Sequence, residues 1–360
     1  MILYIVGFWA LLRDHSASAT LFNNIFELFL IILVFLRCTT VHKKIFSLFI
    51  ISLSYVILSA AYTLLISGGN ILDFLLIYKF FVYAIFLSIL FKKEIISEKM
   101  FFYFYRFLLV IFAVKYLSIF MFSNLRPTLF YENNFELMML ALLFYLYAVL
   151  KGEVSVKHQL TVSVIFLISK SISGILILMF VLGMVNRKYL LKKIHLVIPG
   201  LVFIGISGLY ILKNRLGGEL DFTNNVRFKF LTVFLKEIKD WNFINYLFGA
   251  PRITNLSIDA CEKLGYWQSL FSYSGDGSCY SVVLHSYIFR AIFDHGFVGL
   301  LFISYFVYAI ILRSGFSKND GFTVLGIIFL NGLSVSSFNS VYFAIGILFF
   351  LVVKKNKVLL

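Results

Sequence analysis

Proline occurs 3 times and cysteine 3 times in 360 residues, and only 14% of the chain is charged. So little proline leaves no Pro-rich linker, and so little charge excludes a disordered chain and an ordinary soluble enzyme. The chain also lacks a G-x-x-x-x-G-K-[ST] loop, a G-x-S-x-G elbow, H-E-x-x-H and C-x-x-C. Those absences remove support for ATP hydrolysis, serine hydrolysis and zinc chemistry. No D-x-D pair is present either, so a sugar transferase gripping its donor through a divalent metal is not expected; protein cations would take the metal's place.

What the chain has is apolar surface. Hydrophobic residues make up 61%, with 44 Phe and 21 Tyr, and the mean hydropathy is +0.96. The formal net charge of +15 sits in short basic clusters between long apolar runs, where cations act as topology signals and give no evidence for nucleic acid. Met1 to Leu12 lacks a basic start and an A-x-A-like cleavage site, so this segment is expected to stay as an anchor.

Cutting the apolar runs at polar punctuation predicts an all-α polytopic membrane protein of 10 to 12 transmembrane helices. The candidate spans are residues 2–12, 19–36, 45–66, 71–91, 100–122, 135–150, 159–170, 172–186, 194–213, 297–312, 322–338 and 341–353. Basic clusters at 37–44, 92–99, 151–158, 187–193, 313–318 and 354–357 fall on one side, the cytoplasmic one by the positive-inside rule. Residues 67–70, 123–134, 169–174 and 214–296 fall on the other, with both termini cytoplasmic. Three units follow: a helical bundle over 1–213, a large outward-facing loop over 214–296, and C-terminal transmembrane helices over 297–360.

The outer loop carries eight Lys/Arg against eight Asp/Glu and two of the three cysteines. Facing an oxidising compartment, Cys261 and Cys279 either form a disulfide or remain two unpaired thiols in a packed loop, while Cys38 stays reduced. Asn224 to Trp241 reads as an amphipathic helix, with Phe230, Phe234, Ile238 and Trp241 at helical spacing; it is expected to lie along the membrane surface. A second helix is expected over Ser281 to His295.

Four outward stretches hold the informative polar residues: 124–139 with Arg126, Glu132, Asn133 and Asn134; 169–174 with Lys170, three serines and Gly174; 214–229 with Arg215, Glu219, Asp221 and Arg227; and 284–299 with His285, Arg290, Asp294 and His295. Each has a plain structural reading. A basic residue beside a span snorkels to headgroups, which also applies to Lys79 and Lys115 inside spans. Arg290 and Asp294 stand i, i+4 and suit a salt bridge. His295 before Gly296 suits a helix C-terminus, and Glu132 with its two asparagines suits a cap for a helix starting at Phe135.

The order of these stretches resembles the O-antigen polymerase and ligase superfamily: Arg126 then Glu132-x-Asn134 before a helix, a Ser-rich break ending in Gly174, a large outer loop, and His285-Ser286 closing with Gly296-x-x-Gly299. The likeness covers roughly residues 120–350. Two motifs depart from it: the Ser-Arg-[ST]-Gly of many relatives reads Ser171-Ile172-Ser173-Gly174 with the cation displaced to Lys170, and Glu-Pro-Asn reads Glu132-Asn133-Asn134.

The resemblance implies an inverting, metal-independent glycosyl transfer outside a bacterial cytoplasmic membrane, with no cofactor. It implies an undecaprenyl-diphosphate-linked glycan as donor and another as acceptor, membrane lipids as surroundings, and a separate chain-length regulator as partner. Arg126, Arg215 and Arg227 would hold the diphosphate, with Lys170 and Arg290 as further candidates, because guanidinium groups bind its oxygens in bidentate fashion. His285 would be the base for the acceptor hydroxyl, with Glu132 or Asp221 orienting it or the sugar. A polymerase is the favoured reading. The alternatives are a ligase handing the glycan to lipid A-core, and a flippase for the same lipid-linked sugar; the chain shows no internal halves of the kind many transporters carry.

Overall fold

The computed structural model describes residues 2–12, 20–37, 40–123, 125–192 and 226–354. The expected span 194–213 and the residues Cys38, Arg215, Glu219 and Asp221 lie outside the described residues.

The protein is an all-α membrane protein. Six of its described helices are long and apolar enough to cross a membrane: α2 (Thr20–Arg37), α3 (Phe46–Leu65), α4 (Ile71–Leu90), α5 (Glu98–Phe122), α6 (Asn133–Lys151) and α13 (Tyr287–Arg313). The shorter ones are α1 (Ile2–Leu12), α7 (Val156–Ile168), α8 (Ile172–Val185), α9 (Arg187–Lys192), α14 (Lys318–Gly332) and α15 (Val341–Val352). Between Val226 and Val283 lie α10 (Val226–Glu237), α11 (Phe243–Phe248), α12 (Ile258–Lys263) and two 3-10 turns.

Helices α6 and α15 are apolar on all faces, and such helices belong at the centre of a bundle. Every residue from Leu137 to Tyr147 is buried, as is every residue of α15. The two pack together at Gly346, where a Cβ would come within 2.5 Å of Leu142 Cδ1. That fits association in lipid, which rests on close packing at small residues. By contrast α2 and α3 leave large apolar side chains such as Phe35 and Leu58 exposed for lipid.

Cross-links between loops show which of them share an end. At one end Arg313 donates to the Lys44 carbonyl at 2.6 Å, Lys93 donates to the Thr40 carbonyl at 3.2 Å, and β1 (Ile96–Ser97) pairs in parallel with β2 (Val353–Lys354). At the other end Asn133 donates to the Ser169 carbonyl at 3.0 Å, Ser286 donates to the Gly332 carbonyl at 3.1 Å, and Asp73 accepts from Ser272 Oγ at 2.7 Å. The basic clusters thus group apart from the polar stretches, as charge alternation predicts.

Several boundaries differ from the expected ones. The run 322–338 is helical only to Gly332, and 333–340 forms a turn containing a short 3-10 segment, in which the backbone N–H groups of Ser334, Ser337, Asn339 and Ser340 bond to carbonyls two or three residues earlier instead of continuing the helix. Helix α10 is described from Val226 and ends at Glu237, short of Trp241, and its apolar face is not left bare for a membrane surface. Phe230, Val233 and Phe234 are buried in a second core with Leu256, Leu264, Val283 and Phe293, so the loop covers this apolar face with its own residues. The helix expected over Ser281 to His295 is a 3-10 turn at Ser281–Val283 followed by α13, which passes Gly296 with a local kink (φ 67°). Lys79 does not snorkel but forms an ion pair with Glu27, and Lys115 donates to the Leu11 carbonyl at 3.1 Å; each finds a partner within the bundle.

Candidate active site at the polar end

The first two polar stretches meet. Helix α6 starts with Asn133 and Asn134, and α7 stops at Ile168. Lys170 takes a left-handed backbone (φ 55°), and Ser171 then caps α8 by accepting from the Gly174 N–H at 3.0 Å. Into this break reaches Asn134, whose Oδ1 accepts from Ser171 Oγ at 2.6 Å and Ser173 Oγ at 3.1 Å. Gly174 lets this break pack closely, since a Cβ would fall 2.7 Å from Leu137 Cδ1 and push that side chain aside.

Arg126 reaches the same break from the loop before α6, donating from Nη2 to the Lys170 carbonyl at 3.2 Å. The Lys170 ammonium lies 5.7 Å from the centre of the Phe120 ring. Glu132 accepts from Asn134 Nδ2 at 3.1 Å. Burial pushes its carboxyl above the ordinary carboxylate range, opposed by that hydrogen bond and the Arg126 charge. Glu132 is the residue before α6 but makes no side-chain cap, because its oxygen is turned to Asn134; the expected capping role is corrected accordingly.

The fourth stretch packs against the 333–340 turn. Arg290 is buried and donates from Nη1 to Ser336 Oγ at 2.5 Å and from Nη2 to the Leu76 carbonyl at 3.2 Å. Asn339 shares that carbonyl, donating at 2.9 Å, and accepts from the Phe80 N–H at 3.0 Å. The expected Arg290–Asp294 salt bridge does not form: Asp294 accepts from Ser281 Oγ at 2.6 Å, while the guanidinium is held by the turn. His295 closes the first helical stretch of α13, directly before the non-helical Gly296, as its sequence position suggests. It is buried among Tyr55, Tyr78 and Phe81, with Nδ1 3.0 Å from the Tyr55 hydroxyl.

His285 lies just before α13, half-buried, with its ring edge-on to Phe230 at 5.1 Å and to Trp267 at 6.3 Å. Burial, then the charge of Arg290, holds its imidazole below the usual value of 6.5, so it is neutral near pH 7. Among the described residues no carboxylate hydrogen-bonds His285, so Glu132 does not orient it. Arg227 stands one turn before Phe230 on α10, exposed. Cys261 and Cys279 are joined by a disulfide that closes the same lobe. Asp73, at the start of α4, ties this lobe to the bundle through Ser272 Oγ and the Tyr273 N–H.

Three features escape sequence reasoning. Glu136 is fully buried and accepts from the N–H groups of Leu129, Phe130 and Tyr131 and from the Tyr116 hydroxyl, fixing the loop that carries Arg126. The Asn331–Ser340 run supplies Ser336, one of the two partners of Arg290, and its crowd of small polar residues between apolar runs was the available signal. Arg252 places its guanidinium 5.0 Å from the centre of the Tyr55 ring, and nothing in its local sequence marks it. The buried Tyr287 hydroxyl, Arg290 Nε and Asn331 Oδ1 have no hydrogen-bond partner among the described residues. Nor, among the described residues, is any group of three or more His, Cys, Asp and Glu placed to hold a metal ion. Compared with protein-family models, curated proteins and solved structures, the chain matches none.

Proposed function

We propose that the protein is a polysaccharide polymerase: an inverting membrane glycosyltransferase that joins undecaprenyl-diphosphate-linked repeat units on the outer face of a bacterial cytoplasmic membrane. In this reading the shorter helices also cross, giving 10 to 12 spans, and residues 214–296 face outward with both termini inside. One observation carries it. The Arg126–Asn134 stretch, the Lys170–Gly174 break and the His285–Arg290 stretch gather at the same end of the bundle, opposite the basic loops. The Cys261–Cys279 bridge at that end supports an oxidising, extracytoplasmic side.

The chemistry follows from the residue types. The acceptor hydroxyl gives its proton to the neutral His285 imidazole as its oxygen attacks the anomeric carbon. The bond from that carbon to the diphosphate oxygen breaks with inversion, and the diphosphate leaves with the bonding pair. Arg126 and Arg227, with Arg215 outside the described residues, would stabilise the developing charge, and the Lys170 ammonium adds to the field. Arg290 serves the site indirectly: both of its described hydrogen bonds go to protein groups, so it positions the turn and depresses the basicity of His285. The concentration of polar groups at one end also favours an enzyme over a flippase, whose polar residues would line a cavity through the membrane.

The test is deletion of the gene, followed by complementation with wild type and with His285→Ala, and display of the surface polysaccharide on a gel. A polymerase gives core bearing a single repeat in the deletion and in the variant. Bare core with long lipid-linked polymer would mark a ligase, and repeat units trapped on the cytoplasmic face would mark a flippase.

A further inference from the structure

Beside the fourth polar stretch, a cleft of about 460 Å³ opens between α3 and the 245–252 segment. On one wall Tyr55, Leu58, Ser59 and Tyr62 follow each other at i, i+3, i+4 and i+7, a single stripe of α3. The other wall is Asn245, Phe248, Gly249 and Arg252. This wall is held close to the kink of α13: the Ala250 N–H donates to the Phe293 carbonyl at 2.7 Å, and a Cβ on Gly249 would lie 2.7 Å from the Asp294 carbonyl carbon. The stripe spans about 10 Å by helix rise and ends one turn from the C-terminus of α3, the level at which lipid phosphates lie.

Arg252 is the charge in this cleft. Its guanidinium lies 5.0 Å from the centre of the Tyr55 ring, and among the described residues it forms no ion pair. The acid with which it interacts electrostatically, Asp294, accepts from Ser281 instead. Five N–H donors on an always-charged group are therefore presented beside apolar walls. Leu58 and Leu65 on α3, Ile66 just after it, and Phe243 and Ile244 on α11 are exposed, so the surface around the cleft suits hydrocarbon chains. A ligand that fits must combine a single negative charge with long apolar chains.

We infer that the cleft binds one membrane glycerophospholipid, its phosphodiester on Arg252 and its acyl chains along α3. One guanidinium matches the one charge of a phosphodiester, whereas a polyprenyl diphosphate brings at least two. The test reads lipid binding, so it does not depend on the enzyme's activity. Purified full-length protein, stripped of lipid in detergent, is titrated with dioctanoyl phosphatidylglycerol and followed by native mass spectrometry. One molecule is expected to bind saturably. Arg252→Gln is expected to weaken that binding at least tenfold with the disulfide intact, and Leu58→Trp, which narrows the cleft from an exposed position and keeps the arginine, is expected to do the same. If Arg252→Gln does not fold, Leu58→Trp alone decides. Unchanged affinity in the folded variants overturns the site, and displacement of the phospholipid by an equimolar amount of undecaprenyl diphosphate overturns its assignment to a glycerophospholipid.

Discussion

Ser171 donates its hydroxyl to Oδ1 of Asn134, 37 positions earlier in the chain, at 2.6 Å. This bond fastens the start of α6 to the break before α8, and the same oxygen also accepts from Ser173. Two buried hydroxyls thus share one acceptor, so removing it costs more than removing either donor. We predict that Asn134→Ala lowers stability by about 1–3 kcal/mol, and that Ser171→Ala, which loses the α8 cap, lowers it by about 1 kcal/mol. Thermal melts in detergent check both; an Asn134→Ala protein as stable as wild type would remove the bond from any structural role.

Glu136 gives a sharper prediction. Its two oxygens receive three backbone N–H groups and one hydroxyl, with no cation in the set. Glu136→Gln keeps the volume but points an NH2 group at backbone donors, so it should destabilise the 129–131 loop by about 1–3 kcal/mol. Tyr116→Phe removes one bond and should cost about 1 kcal/mol. Limited proteolysis at the Arg126 loop distinguishes them: faster cleavage is expected for Glu136→Gln, and equal rates for both variants would contradict the proposed clamp.

The glycines separate in the same way. Gly296 has a φ of 67°, and a Cβ there would lie 2.3 Å from the Leu247 carbonyl oxygen, whereas a Cβ on Gly265 meets nothing within 4 Å. Gly296→Ala combines backbone strain with a clash against backbone that cannot rotate away. It should abolish stable membrane expression, while Gly265→Ala should stay within about 0.5 kcal/mol of wild type, as surface substitutions do. Expression and melting of the two proteins side by side provide the check.

Why some of this was legible in sequence and some was not follows from the range of the interactions. Basic clusters and apolar runs are local, so the grouping of loops by end is readable from charge alone. The meeting of Arg126 and Lys170 agrees with stretches that sequence already singled out as outward-facing. The 333–340 turn is hidden because Val335 and Phe338 keep the run apolar while Asn331, Ser334 and Ser336 do the bonding. Arg290 suggests an i, i+4 partner, yet its hydrogen bonds reach Ser336 and Leu76, 46 and 214 positions away. Helix α10 shows the same limit: its apolar spacing is right, but periodicity cannot say whether lipid or the loop's own core covers that face.

The lobe that buries α10 depends on its covalent closure. Cys261 and Cys279 enclose a sequence separation of 18 residues, for which a disulfide adds about 3 kcal/mol by restricting the unfolded chain. Both thiols should resist a maleimide in intact membranes until a reductant is added. Immediate labelling of both cysteines would show that the bridge is not formed.

The pH dependence tests the role of His285 most directly. As a general base the imidazole must be neutral, so polymerisation should rise with pH through a value below 6.5 and level off above it, because burial holds the group below its ordinary value and the Arg290 charge adds to this. Burial is the larger cause. Phe230→Ala, which opens the ring to water, should move the acid limb upward towards 6.5, since it relieves the desolvation that disfavours the charged form. Arg290→Gln should move it in the same direction by less, and Arg290→Lys, which keeps the charge, should leave it in place. Initial rates of chain extension by the purified protein in detergent with lipid-linked repeats, measured from pH 5 to 8, distinguish these cases. An acid limb that does not move in Phe230→Ala would mean that the titrating group is another residue, and that His285 holds the acceptor without taking its proton.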